Sequence, residues 1–150
     1  MIRQIRQHLS TGNDESKPGC IFPVSSLREA CDAIRVAQAS GCSDVILLSP
    51  PGAAGFMGVP WWMTMMAQFR DLQEKNPISL PFVDILDCGS QAGRAVSALT
   101  QGQKHIVFDP ESPQRKAVEM LAASLGATVL FQRPDRIQPF PLGIACPSGE

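Results

Sequence analysis

Acidic side chains and a cysteine stand where apolar runs of the sequence end. Asp87 and Cys88 close one such run and are followed by Gly89, while Asp109 closes the next run. Two carboxylates at one edge of a sheet can carry out general acid–base chemistry. A cysteine at the start of a helix favours the thiolate, because the positive end of the helix lowers the pKa of the thiol. The sequence therefore predicts Asp87, Asp109 and Cys88 as candidate catalytic residues.

Structural roles compete with catalysis at these three positions. Aspartates that follow strands commonly accept hydrogen bonds from backbone N–H groups at helix starts, and an unpaired cysteine commonly packs as a small apolar residue. The two histidines of the chain are His8 and His105. Because His105 begins a predicted strand, we expect it at the opposite end of the sheet from Cys88. No Cys–His pair is expected, and whether the protein is an enzyme stays open.

A glycine-rich connection, residues 49–60, favours a second kind of chemistry. Its glycines allow backbone N–H groups to approach an anion, and the helix that follows favours negative charge at its start. The connection lacks the lysine of a phosphate-binding P-loop and the glycine spacing of a dinucleotide site, and a mobile turn without a ligand is the alternative. We expect a small phosphate- or carboxylate-bearing ligand at the carboxyl ends of the strands, and the sequence specifies no cofactor. The predicted ligand-binding residues are Ser49, Gly52, Gly55, Gly58, Gly89, Ser90 and Arg94.

The turn after Asp87 resembles the first nucleotide-binding turn of Rossmann-like methyltransferases, which use S-adenosylmethionine. Asp87, Gly89 and Gly93 stand at matching positions. Asp109 stands where that family has an acid for the ribose hydroxyls. The sequence departs from the family at Gln91, where a glycine is usual. The resemblance implies a nucleotide-type ligand at this turn.

The same stretch, Val83 to about Asp135, is also similar to a late unit of small sugar-acid aldolase barrels. That likeness rests on residues 98–102 and 108–111. Those enzymes need a lysine inside the strand to form a Schiff base with the substrate. Here Lys104 precedes the predicted strand, which argues against aldolase chemistry. Neither resemblance identifies a family.

Apolar runs alternate with amphipathic patterns along the chain, which predicts strands alternating with helices. The predicted strands are Cys20–Val24, Asp44–Ser49, Phe82–Asp87, His105–Asp109 and Thr128–Gln132. The predicted helices run from the Ser26–Glu29 capping box to Gly41, over Pro60–Lys75, over Gln91–Thr100, and from Ser112-Pro113 to Gly126.

Uninterrupted apolar strands indicate a parallel sheet joined by right-handed crossovers. We favour an open, doubly wound α/β sheet of the Rossmann or flavodoxin type over a partial β/α barrel, because a closed barrel uses about eight units. The predicted organisation is a flexible lead-in over residues 1–19, one α/β domain over 20–133, and an extended proline-rich arm over 134–150.

Composition and charge exclude several classes of function. The formal net charge of -1 gives no electrostatic reason to bind nucleic acid. No apolar stretch reaches the ~20 residues that a bilayer crossing needs. The five cysteines form no C-x-x-C pair and no metal-ligand spacing, so we expect no metal site and a reduced, cytoplasmic protein.

The predicted second helix carries apolar residues on more than one face. Trp62, Met65, Met66, Phe69 and Leu72 follow one helical stripe that the core alone explains. Trp61 and Met63 lie off that stripe. We expect a homo-oligomer contact through the Trp61–Phe69 helix, with a hydrophobic lid over a ligand as the alternative.

Overall fold

The computed structural model describes residues 19–77 and 79–135. Its elements, in chain order, are β1 (Cys20–Pro23), α1 (Leu27–Ser40), β2 (Val45–Leu48), α2 (Ala53–Phe56), α3 (Val59–Glu74), β3 (Phe82–Asp87), α4 (Ala92–Thr100), β4 (His105–Val107), α5 (Arg115–Ser124) and β5 (Thr128–Leu130). The predicted lead-in, apart from Gly19, and all but the first two residues of the predicted arm lie outside the described residues.

Local signals set the ends of the first helix. The Ser26 hydroxyl accepts a hydrogen bond from the Glu29 backbone N–H at 3.1 Å, and the Glu29 carboxylate accepts from the Ser25 N–H at 2.7 Å. Gly41 ends the helix with a φ of 78°, a conformation that glycine adopts without a steric penalty. The predicted start and end of this helix are confirmed.

Two helix boundaries differ from the sequence prediction. The Ser112 hydroxyl accepts from the backbone N–H of Gln114 at 3.1 Å, which closes a turn instead of capping a helix. As a result α5 begins only at Arg115. The glycine-rich connection also contains a one-turn helix, α2, which its glycine-rich sequence does not predict.

The five strands form one parallel sheet in the sequential order β1-β2-β3-β4-β5. Adjacent strands pair directly: Ile21 lies beside Ile46, Ile46 beside Val83, and Ile106 beside Val129. The predicted open sheet of parallel strands alternating with helices is confirmed. Strand order, which the sequence did not predict, never reverses along the sheet.

Sequential order places the described helices on one face of the sheet, because each right-handed crossover steps to the next strand in the same direction. Buried side chains of all the longer helices share one apolar cluster with alternate strand residues such as Phe22, Leu47 and Ile106. The opposite face carries a second cluster made of strand residues only, including Ile46 and Ile85. The described helices therefore cover one face of the sheet, whereas the doubly wound, Rossmann-like form that the sequence favoured has helices on both faces.

A buried carboxylate ties α3 to the middle strand. Asp84 lies on the helix-covered face and is 6% exposed. It accepts hydrogen bonds from the indole N–H of Trp62 at 3.1 Å and from the amide of Gln103 at 3.1 Å, and it forms an ion pair with Arg70. These contacts meet the requirement that a buried polar group has hydrogen-bond partners.

Most of the large apolar side chains of helix α3 pack in the core. Trp62, Met65, Met66 and Phe69 are buried as the helical stripe predicted, whereas Leu72 is 42% exposed. The off-stripe residues Trp61 and Met63 are half-buried and pack against the same core. None of the helices in the described ranges is long and apolar enough to cross a membrane.

Cys20 and Cys42 form a disulfide, which corrects the expectation of reduced cysteines at these two positions. Cys20 begins β1, and Cys42 follows α1 just before β2. The backbone N–H of Cys20 donates to Asp44 O at 3.1 Å, so the two segments run side by side. The pairing depends on β1 lying next to β2, and the sequence analysis did not predict strand order.

Candidate functional site

Ser49 joins the carboxyl ends of β2 and β3. Its hydroxyl accepts a hydrogen bond from the Asp87 backbone N–H at 2.9 Å and donates to Pro50 O at 3.0 Å. Its own N–H donates to Ile85 O at 3.0 Å. The side chain is fully buried, so this predicted ligand residue serves to hold the two strand ends together.

Asp87 is held by an arginine that the sequence analysis missed. Arg133 Nη1 donates to Asp87 Oδ2 at 2.8 Å and to Ser49 O at 3.0 Å. The other carboxylate oxygen accepts from the Gly89 N–H at 2.8 Å. Arg133 follows β5, so it reaches the same edge of the sheet. The available signal was its position directly after the predicted strand Thr128–Gln132.

Cys88 faces the core instead of the solvent. It is 1% exposed, and its thiol lies 3.9 Å from Leu86 O. Burial, together with the nearby charge of Asp87, raises the pKa of Cys88 from 9.0 to about 12. This direction is opposite to the lowered pKa expected at a helix start, because loss of hydration outweighs the helix field.

Asp109 and Asp87 lie on the same edge but have separate partners. Asp87 pairs in register with Val107, and the Asp109 N–H donates to Gly89 O at 2.9 Å. The Asp109 carboxylate accepts from the Glu111 N–H at 2.9 Å. Both acids therefore bind backbone amides in the turns that follow their strands, which matches the structural role considered for them in the sequence.

The glycine-rich connection packs directly on the turn after β3. Gly52 and Gly89 have φ values of 65° and 58°, and a Cβ on Gly89 would lie 3.6 Å from the Gly52 Cα atom. A side chain at Gly55 would collide with the amide of Gln91. Because both connections turn toward the same face of the sheet, they touch and leave no switch-point crevice of the doubly wound kind.

The first turn of α4 is an exposed part of this edge. Gln91 occupies the N-cap position without a side-chain hydrogen bond to the helix. Ser90, Gly93 and Arg94 are exposed, and a Cβ on Gly93 would meet nothing within 4 Å. Arg94 forms no ion pair with another described residue. Gly58, with a φ of 95°, lies apart from this turn, immediately before α3.

Comparison with known proteins does not identify a family for this chain. No protein-family model matches the sequence, and the search of curated proteins finds no match. The function must therefore be argued from the site.

Proposed function

We propose that the domain binds a small anionic molecule, one that carries a phosphate or a carboxylate, at the carboxyl edge of its sheet. The contact point is the exposed first turn of α4, residues 91–94. A supporting feature is the uncapped start of this helix, where backbone N–H groups have no acceptor within the helix and the helix dipole favours negative charge.

Charges around this turn favour an anion. The carboxylate of Asp87, the nearest buried acid, is neutralised by Arg133 at 2.8 Å. Arg94 projects from the first turn of α4 and is exposed. A ligand with a carboxylate or phosphate therefore meets a cationic side chain and backbone N–H groups. The acid at the end of β3 is already paired, and the carboxylate of Asp109, in the neighbouring turn, binds the Glu111 N–H.

Access to the backbone also supports the proposal. Gly93 presents no side chain, and the space that a Cβ would occupy is open. An anion can therefore approach the N–H groups of this turn closely, as it does at other helix starts that bind phosphate.

The test is a thermal-shift titration with inorganic phosphate, citrate and adenosine monophosphate. A ligand at about 100 times its dissociation constant adds roughly 2.7 kcal/mol of stability. Arg94→Gln should weaken the effect. Arg28→Gln is the matched control, because Arg28 is an exposed arginine in the first turn of α1, whose start is capped by Ser26. Equal loss in both variants, or no shift with any anion, contradicts the proposal.

The enzyme alternative is less well supported by the observed contacts. It requires Asp87, Asp109 or Cys88 to meet a substrate. Asp87 is 4% exposed and bound to Arg133, and Cys88 is 1% exposed. Asp109 is the most accessible of the three, yet it binds the Glu111 N–H. If Asp109→Asn abolished turnover of a substrate but still bound it, this alternative would be favoured.

The location and assembly of the protein also stay predictions. The Cys20–Cys42 disulfide weighs against the cytoplasmic location, because disulfides persist mainly in oxidising compartments. A homo-oligomer through the Trp61–Phe69 helix would have to use the half-buried Trp61 and Met63, since the core stripe of this helix is already covered. Sedimentation of the purified chain tests the assembly.

A further inference from the structure

A groove with uncharged walls lies between the start of α1 and the first half of α3. It opens beside Ser25 and Ser26, which follow β1, and its volume is about 550 Å³. Small-molecule sites commonly measure ~300–1,000 Å³. The groove is separate from the turn at residues 91–94, and none of the side chains that line it carries a charge.

One wall of the groove offers hydrogen-bonding groups. Thr64 and Gln68 lie one turn apart on α3, and both are exposed. Neither forms a side-chain hydrogen bond with another described residue. The Ser26 hydroxyl accepts from the Glu29 N–H, which leaves its own proton free to donate. Together these groups offer hydroxyl and amide partners without a formal charge.

Apolar side chains form the rest of the lining. Trp61 is half-buried, and its ring centroid lies 5.5 Å from that of Trp62. Leu27, Pro60 and Met65 complete the apolar wall. An indole ring beside neutral hydroxyl and amide groups suits a ligand that has an apolar face and several hydroxyls.

We propose that this groove binds a neutral carbohydrate. The C–H face of a sugar ring packs against the Trp61 indole, and the sugar hydroxyls exchange hydrogen bonds with Thr64, Gln68 and Ser26. No side chain that lines the groove carries a charge that would replace the hydration lost by a charged ligand. The inference is independent of the anion site at residues 91–94, because the groove lies on other elements and suits an uncharged ligand instead of an anion.

Tryptophan fluorescence tests the proposal. The chain has two tryptophans, and Trp62 is 0% exposed, so Trp61 reports on the groove. We expect saturable changes in emission with methyl glucoside, N-acetylglucosamine or maltose, and weaker binding of glucose 6-phosphate. Gln68→Ala should weaken binding about tenfold, the loss of about one hydrogen bond. Gln101→Ala, the same change at an exposed site on the end of α4, should have no effect.

Three results would overturn this assignment. They are the absence of a saturable change with all three neutral sugars, equal affinities in Gln68→Ala and the unaltered protein, or an emission change that depends on protein concentration alone. The last result would make the groove a contact between copies of the chain. Because Gln68 is exposed, an unchanged melting temperature of Gln68→Ala shows that the variant is folded.

Discussion

Reduction of the Cys20–Cys42 disulfide should lower the stability of the domain by about 3 kcal/mol. The two cysteines are separated by 22 residues, and closing a loop of that length removes about 11 cal/mol/K of entropy from the unfolded chain. At room temperature this entropy corresponds to about 3 kcal/mol, and to a melting temperature roughly 10 °C lower. The bond joins the start of β1 to the entrance of β2, so its loss acts on the edge strand first.

Urea denaturation with and without a reductant measures this difference. The double variant Cys20→Ala, Cys42→Ala should match the reduced protein. Cys31→Ser is the control, because Cys31 is a free, half-buried cysteine on the same strand-helix-strand unit. Unfolding free energies that agree within about 0.5 kcal/mol in the oxidised and reduced states would refute the reasoning, since loop closure alone predicts several times that value.

Three further predictions concern ionisable side chains. Asp84→Ala should cost about 2 kcal/mol in urea denaturation, because it leaves the buried indole N–H of Trp62 without an acceptor and removes the ion-pair partner of Arg70; a cost below about 1 kcal/mol contradicts this. Burial lowers the pKa of His105 below 6.5, so stability should fall as the pH drops below 6.5. His105→Gln should reduce this loss of stability, measured as the melting temperature against pH. An unchanged pH dependence in this variant would refute the role given to His105. The pKa of Cys88 is raised to about 12, which predicts that the stability of the folded protein declines as the pH rises above 9. A thiol reagent should label Cys31 but not Cys88 in the folded protein at neutral pH, and rapid labelling of Cys88 contradicts its burial.

Features set by nearby residues were predictable from the sequence. The bounds of β3, Phe82–Asp87, agree with the predicted strand. Ser26 and Gly41 fix the ends of α1 through contacts within one turn of the helix. Such signals act over a few residues, so periodicity and capping suffice to find them.

Features that depend on strand order could not be derived in the same way. The Arg133–Asp87 ion pair joins residues 46 positions apart, and it requires both β3 and β5 to end at one edge. The disulfide requires β1 beside β2. The burial of Cys88 arises from packing across the sheet, which reverses the pKa direction that its helix-start position alone suggests.

The predicted site also has a part set by nearby residues and a part that depends on strand order. The sequence placed Gly89, Ser90 and Arg94 at one turn, and the structure keeps them there with Ser90 and Arg94 exposed. Gly52 lies against Gly89 instead of facing a crevice, because the sequential strand order turns both connections toward one face. The open start of α4, rather than the glycine-rich connection, is therefore the place to look for a ligand.

The most direct test of the anion site is an amide-shift titration of the isotopically labelled protein with inorganic phosphate. Our account predicts saturable shifts of the backbone N–H signals of Gly93 and Arg94, with smaller shifts at the capped start of α1 around Arg28. Uniform shifts at both helix starts, or no saturable shift at Gly93, would contradict it.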